Sequence, residues 1–179
     1  MREQEVDLVP FMAKKQSRRP SLGVIIAREG GVLGIRFRLQ EDPASIDPAG
    51  AEGPGTRRDG LWLGTCFEAF VAVEGEPGYA EVNLAATRDW NVYLFDGYRC
   101  GMRPDLSVLD LPRSTEFADG ILTASFSFPL TSLATSDRAL EVGLAAVIRH
   151  ADGSIGHWAL AHPGDRPDFH RREGFLLRC

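Results

Sequence analysis

One carboxylate interrupts an otherwise apolar run at Cys66-Phe-Glu-Ala-Phe-Val-Ala-Val73, and that residue, Glu68, is the sharpest chemical signal in the chain. A buried carboxyl without a partner is expensive. Glu68 is therefore expected either to pair with an arginine on a neighbouring strand or to accept hydrogen bonds from ligand hydroxyls. A second polar face follows, where Glu81 and Asn83 alternate with Val82 and Leu84. All four histidines, His150, His157, His162 and His170, fall near the C-terminal end. Strand parity points His157 and His162 to opposite faces. His162 and His170 could converge across the Pro163-Gly164 turn, and with Asp165 or Asp168 they would make a zinc-type set. Glu68 with His162 or His170 could instead act as an acid–base pair. The tryptophans Trp62, Trp90 and Trp158 each lie near polar groups. An indole face stacks on the C–H face of a sugar while neighbouring Glu, Asn and Arg groups take its hydroxyls. The alternative for each tryptophan is core packing with the indole N–H satisfied.

Several kinds of chemistry are excluded. The sequence has no P-loop, no GxGxxG after a strand, no GxSxG, no HExxH, no CxxC and no EF-hand loop. Net charge is −5, and the one basic patch is the short group Lys14, Lys15, Arg18 and Arg19, read as a solvated loop. Nucleic acid is therefore not an expected partner. The polar, acidic start at Met1 to Asp7 does not read as a secretory leader, so none is expected, and no apolar run approaches a membrane span. Cys66, Cys100 and Cys179, odd in number, read as reduced thiols, with Cys66 packed in a strand. A cytoplasmic location is the expectation, with no membrane partner.

The elements that must position these residues are strands. Gly 19 and Pro 11 in 179 residues exceed average usage and break the chain too often for a helix bundle, and 179 residues suit one domain with its own core. The pattern predicts strands at Val6–Met12, Leu22–Arg28, Val32–Gln40, Cys66–Val73, Tyr79–Ala85, Trp90–Phe95, Ile121–Phe128, Leu140–Ile148 and Ile155–Ala161, with an edge at Phe175–Arg178. Residues 41–60 and 96–113 read as long connections, and Pro129–Leu133 as a short helix. Hairpin register around Thr87-Arg88-Asp89 stays open. A four-residue loop puts Trp90, Val92 and Leu94 on the Glu81–Asn83 face; a three-residue loop puts Asn91, Tyr93 and Phe95 there. The expected fold is an all-β, single-domain sandwich over residues 1–179, jelly-roll or immunoglobulin-like, with about nine or ten antiparallel strands and at most one or two short helices.

Three blocks within residues 59–175 resemble bacterial DOMON-like proteins, which are similar to family 9 carbohydrate-binding modules. They are Asp59-Gly-Leu-Trp62 through Cys66-Phe-Glu68-Ala-Phe70, Tyr79-Ala-Glu81-Val-Asn83-Leu through Asp96-Gly-Tyr98-Arg99, and His157-Trp158-Ala-Leu-Ala-His162-Pro through Asp168-Phe169-His170. The resemblance implies a jelly-roll sandwich that holds a ligand on its concave sheet or rim. In the sugar-binding relatives, aromatic side chains flank the sugar while acidic and amide groups bond its hydroxyls. Glu68 matches the glutamate of the first block, and Trp62 and Trp158 are candidate stacking residues. Other DOMON relatives hold haem through Met and His; Met102 is the only mid-chain methionine, and no Met/His pairing follows from the pattern. The expected site is Trp62, Glu68, Glu81, Asn83, Trp158, His162 and His170, in a non-catalytic domain for a small ligand such as a sugar or glycoconjugate, with no cofactor. The competing readings are a haem- or zinc-binding domain and an enzyme using Glu68 with His162 or His170.

Overall fold

A computed structural model describes residues 2–11, 21–47, 53–133 and 138–179. The expected basic loop at Lys14, Lys15, Arg18 and Arg19 lies outside the described residues. Two antiparallel sheets pack face to face. The smaller contains β1 (Arg2–Asp7), β3 (Ser21–Glu29), β4 (Val32–Gln40), β10 (Ile121–Pro129) and β9 (Arg113–Ala118), in that order. The larger runs β2 (Val9–Pro10), β12 (Ile155–Ala159), β11 (Leu140–Arg149), β5 (Cys66–Val73), β6 (Tyr79–Ala85), β7 (Trp90–Phe95) and β8 (Arg103–Pro104). The last strand, β13 (Leu177–Arg178), pairs with the start of β11 at Glu141 and Val142, while β12 pairs with its other end. Helical structure among the described residues is confined to 3-10 turns of three or four residues, one of them at Leu130–Leu133. No helix there is long and apolar enough to cross a membrane.

Period-two patterning explains the core. Leu33, Ile35, Phe37 and Leu39 of β4 face inward beside Leu22, Val24 and Ile26 of β3 and Leu122, Ala124, Phe126 and Phe128 of β10. They meet Phe67, Ala69, Val71, Val82, Leu84 and Val92 from the larger sheet. The smaller sheet is half-buried, with Arg36 and Arg38 outward, as alternation dictates. The larger sheet differs: every residue of β5 and β6 is buried, so its outer face is covered too.

Several expectations change: β12 ends at Ala159 rather than Ala161, and the edge predicted at Phe175–Arg178 is β13 alone. The first predicted strand, Val6–Met12, is two strands. The chain breaks at buried Leu8, leaving β1 in one sheet and carrying β2 to the edge of the other. Pro10, which lacks an N–H, is tolerated because β2 is an edge. The 41–60 connection holds a 3-10 turn at Pro43–Ser45 and two single bridges, Ile46 to His150 and Arg57 to Trp90. The 96–113 connection contains β8, and β9 is an additional strand closed onto β10 by Asp119-Gly120. Both turn residues have positive φ, as a two-residue hairpin turn demands.

Candidate functional site

The outer face of the larger sheet carries a cleft of about 380 Å³, at the small end for small-molecule sites. Strand register builds its floor. Ala145, Glu68, Asn83 and Asn91 align across β11, β5, β6 and β7, and Gly143, Phe70, Glu81 and Tyr93 form the next row. Glu68 and Glu81 are therefore diagonal neighbours on adjacent strands. The β6–β7 hairpin has the three-residue loop 86–88: Ala85 N–H donates to Asp89 O at 2.8 Å, and Arg88 takes φ 69. This register sends Asn91, Tyr93 and Phe95 to the cleft face, while Trp90 turns into the core with the Arg57 guanidinium 4.2 Å from its ring centroid.

Loops make the walls. Gly60, at φ 73, turns the chain into the short 3-10 turn that presents Trp62, 39% exposed and edge-on to Tyr93. The rest of the lining comes from Arg99 and Met102 on one connection, from Pro167, Phe169 and His170 on another, and from Val147 of β11 and His157 of β12. Asp168 ties the two loops together, accepting from Arg99 Nη2 at 2.9 Å, from the Tyr98 hydroxyl and from His170 N–H at 3.3 Å. Beneath them, Phe175 lies against Phe70 and Tyr79 in a second apolar cluster. Gly143 makes room for it, since a Cβ there would come within 2.7 Å of the Phe175 ring.

The floor is polar but buried. Glu68 is 3% exposed, and its Oε1 has no hydrogen-bond partner. Burial, and then the neighbouring Glu81 charge, push its carboxyl well above the usual carboxylate range. Burial raises Glu81 as well, although Asn83 Nδ2 donates to its Oε1 at 2.7 Å. The Cys66 thiol, pushed up by burial and then by Glu68, donates to Asn83 Oδ1 at 3.5 Å. His170 Nδ1 lies 2.8 Å from the Tyr79 hydroxyl, and its Nε2 lies 3.8 Å from Glu81 Oε2, beyond hydrogen-bond distance. Burial, reinforced by the Arg99 charge, lowers His170 to about 4, so the ring is neutral at pH 7. Burial lowers His157 too, with a further contribution from His162. At Asp168 burial works upward, but the bonds from Tyr98 and Arg99 together outweigh it and leave the carboxylate ionised.

Comparison with protein-family models and with curated proteins finds no match. Solved structures do match. A "putative carbohydrate-binding protein" from Bacteroides uniformis ATCC 8492 superposes with TM-score 0.70 at 16% identity, over 97% of this chain and 83% of that one. A family 9 carbohydrate-binding module from Caldicellulosiruptor kristjanssonii, solved with cellotriose, superposes with TM-score 0.52 at 8% identity, over 87% of this chain and 71% of that one. The chain has the fold of a family 9 carbohydrate-binding module. At such identities the likeness concerns the fold, and the cleft residues stand on their own geometry.

Within this family 9-like fold, Trp62, Glu68, Glu81 and His170 line one cleft, and Asn83, fully buried, supports Glu81 from the floor. Two expectations are corrected. Trp158 is 6% exposed and belongs to the core between the sheets, because its β12 position pairs with core-facing Ala146. His162 does not line the cleft. Its Nε2 bonds Val9 O at 2.9 Å and its ring packs edge-on against Phe11. His162 and His170 thus have separate partners, and no three His, Cys, Asp or Glu groups converge as a metal set among the described residues. The cleft residues missing from the expected set are Phe95, Arg99, Met102, Val147, His157, Pro167 and Phe169. Alternation along β12 separates His157 from Trp158, and the three-residue hairpin loop selects Phe95.

Proposed function

We propose that this protein is a non-catalytic carbohydrate-binding domain whose ligand occupies the cleft on the outer face of the larger sheet. The observation that carries the reading is Glu68 Oε1, a buried acceptor without a donor, on the floor of a cleft walled by Trp62, Phe95 and Phe169. Unpaired buried acceptors are destabilising unless something else supplies the donor. A sugar hydroxyl does so, while an aromatic wall takes the ring's C–H face. The cellotriose-bound family 9 module with a similar fold supports the same reading. Of the acid–base pairs considered for an enzyme, Glu68 with His162 is not brought together in the cleft, since His162 bonds Val9 O away from its lining. Two buried carboxyls on the floor also suit hydroxyl recognition better than the apolar slot a porphyrin face requires.

A thermal-shift screen with glucose, cellotriose, sugar nucleotides and haem tests the proposal. Ligand at 100 times Kd stabilises by about 2.7 kcal/mol, or roughly 5–10 °C for a chain of this size. A sugar-induced rise that Trp62→Ala diminishes is expected. A rise with haem accompanied by a Soret band, and none with any sugar, would overturn it.

A further inference from the structure

We infer that the cleft favours a sugar bearing a protonated amine, its ammonium seated against the Glu68 and Glu81 carboxyls; this rests on the carbohydrate reading above. Diagonal neighbours on adjacent strands stand roughly 7–8 Å apart at the backbone, which leaves room for one small cation between two carboxyl groups. Both carboxyls keep an oxygen without a hydrogen bond inside the protein. Glu68 Oε1 has no partner, and Glu81 Oε2 has His170 only at 3.8 Å. A hydroxyl brings one proton to share, whereas an ammonium brings three donors and a charge.

The charge matters because the Arg99 charge, which reaches both Glu68 and Glu81, does not offset their burial. Arg99 is the one arginine or lysine among the described residues lining the cleft, and Asp168 engages its guanidinium through both Nε and Nη2. His157 and His170 are both shifted toward the neutral ring. The other titratable groups packed near the pair are the Cys66 thiol, the Tyr79 and Tyr93 phenols and Asp59, none of them cationic. Trp62 and Phe169 also line the cleft, and aromatic faces attract ammonium groups as well as sugar C–H bonds.

Proton balance follows from the same geometry. In the empty cleft, burial of both carboxyls and the Glu81 charge beside Glu68 favour a retained proton. An arriving ammonium favours the ionised pair, so the proton leaves to buffer. Affinity for an amino sugar therefore rises with pH as the pair ionises and falls again once the sugar amine is deprotonated. A neutral sugar gains only the stronger hydroxyl-to-carboxylate hydrogen bond from the ionised pair, so its affinity rises less steeply with pH.

Calorimetric titration of the protein with glucose, glucosamine and N-acetylglucosamine, in buffers of different ionisation enthalpy, reads each part. Glucosamine is expected to bind about tenfold more tightly than glucose near neutral pH, the scale of one added charge-assisted hydrogen bond. N-acetylation should remove the gain, and proton release should be larger with glucosamine than with glucose. Glu68→Gln and Glu81→Gln should each shrink the preference; if either fails to fold, the wild-type pH profile carries the test. Equal affinity for glucose and glucosamine, with no larger proton release for glucosamine, would overturn the amine preference and leave the carbohydrate reading standing. No binding of any of these sugars or of cellotriose would remove both.

Discussion

Replacing Glu68 by methionine trades the buried carboxyl for an apolar side chain of similar length. The wild-type group has Oε1 unpartnered, sits among Phe70, Ala145 and Cys66 on the covered face, and faces the Glu81 charge. An unsatisfied buried polar group costs about 1–3 kcal/mol. At about 2–4 °C per kcal/mol for a chain of this size, Glu68→Met should raise Tm by roughly 2–12 °C at pH 7. The pH dependence fixes the sign independently. A carboxyl raised in the folded state binds its proton more tightly there than in the unfolded chain. Its stability contribution is full below the unfolded value near 4.5 and is lost as pH rises through the raised folded value. The Tm advantage of the methionine variant should therefore widen as pH rises across that window, a difference in which the opposing His170 contribution, common to both proteins, cancels. Calorimetry from pH 4 to 8 measures both quantities. The variant should also lose sugar binding, so that stability and affinity move in opposite directions. A Glu68→Met variant that melts earlier at pH 7 and still binds sugar would refute the reasoning and make Glu68 a structural residue.

Two further outcomes test the surrounding framework. Gly143→Ala should cost about 1–3 kcal/mol through overpacking against Phe175, read by denaturant unfolding, and pairing it with Phe175→Leu should recover part of the loss; strictly additive effects would mean the contact is not the cause. The His170 ring, followed by NMR, should titrate near 4, and a midpoint at or above 6.5 would show that the ring is neither buried beside Phe70 nor exposed to the Arg99 charge.

Legibility in the sequence followed local periodicity. Val32–Gln40, Cys66–Val73, Tyr79–Ala85 and Trp90–Phe95 have the predicted bounds, because alternation or an unbroken apolar run marks a strand wherever a face is buried. β9 went unread because Arg113–Ala118 is a polar edge strand with Thr115 its one buried residue, although Asp119-Gly120 announces the turn after it. Glu68 stood out as a charge inside an apolar run. Trp158 was misplaced for a different reason: parity told which residues share its face, but not which face looks into the sandwich. Arg99 and Phe169 sat within the recognised blocks, yet they reach the cleft only through the Asp168 contacts between loops some seventy residues apart, and no local pattern encodes such a meeting.

The cleft's division between a strand-borne floor and loop-borne walls has a consequence for how recognition can change. Glu68, Glu81 and Asn83 are fixed by pairing within the sheet, so altering them disturbs the scaffold's own packing. Trp62, Arg99, Met102 and Phe169 hang from connections outside the sheet, where substitution and insertion are tolerated. A lineage, or a designer, can therefore exchange the partners that select a ligand while the acidic anchor beneath them is inherited unchanged.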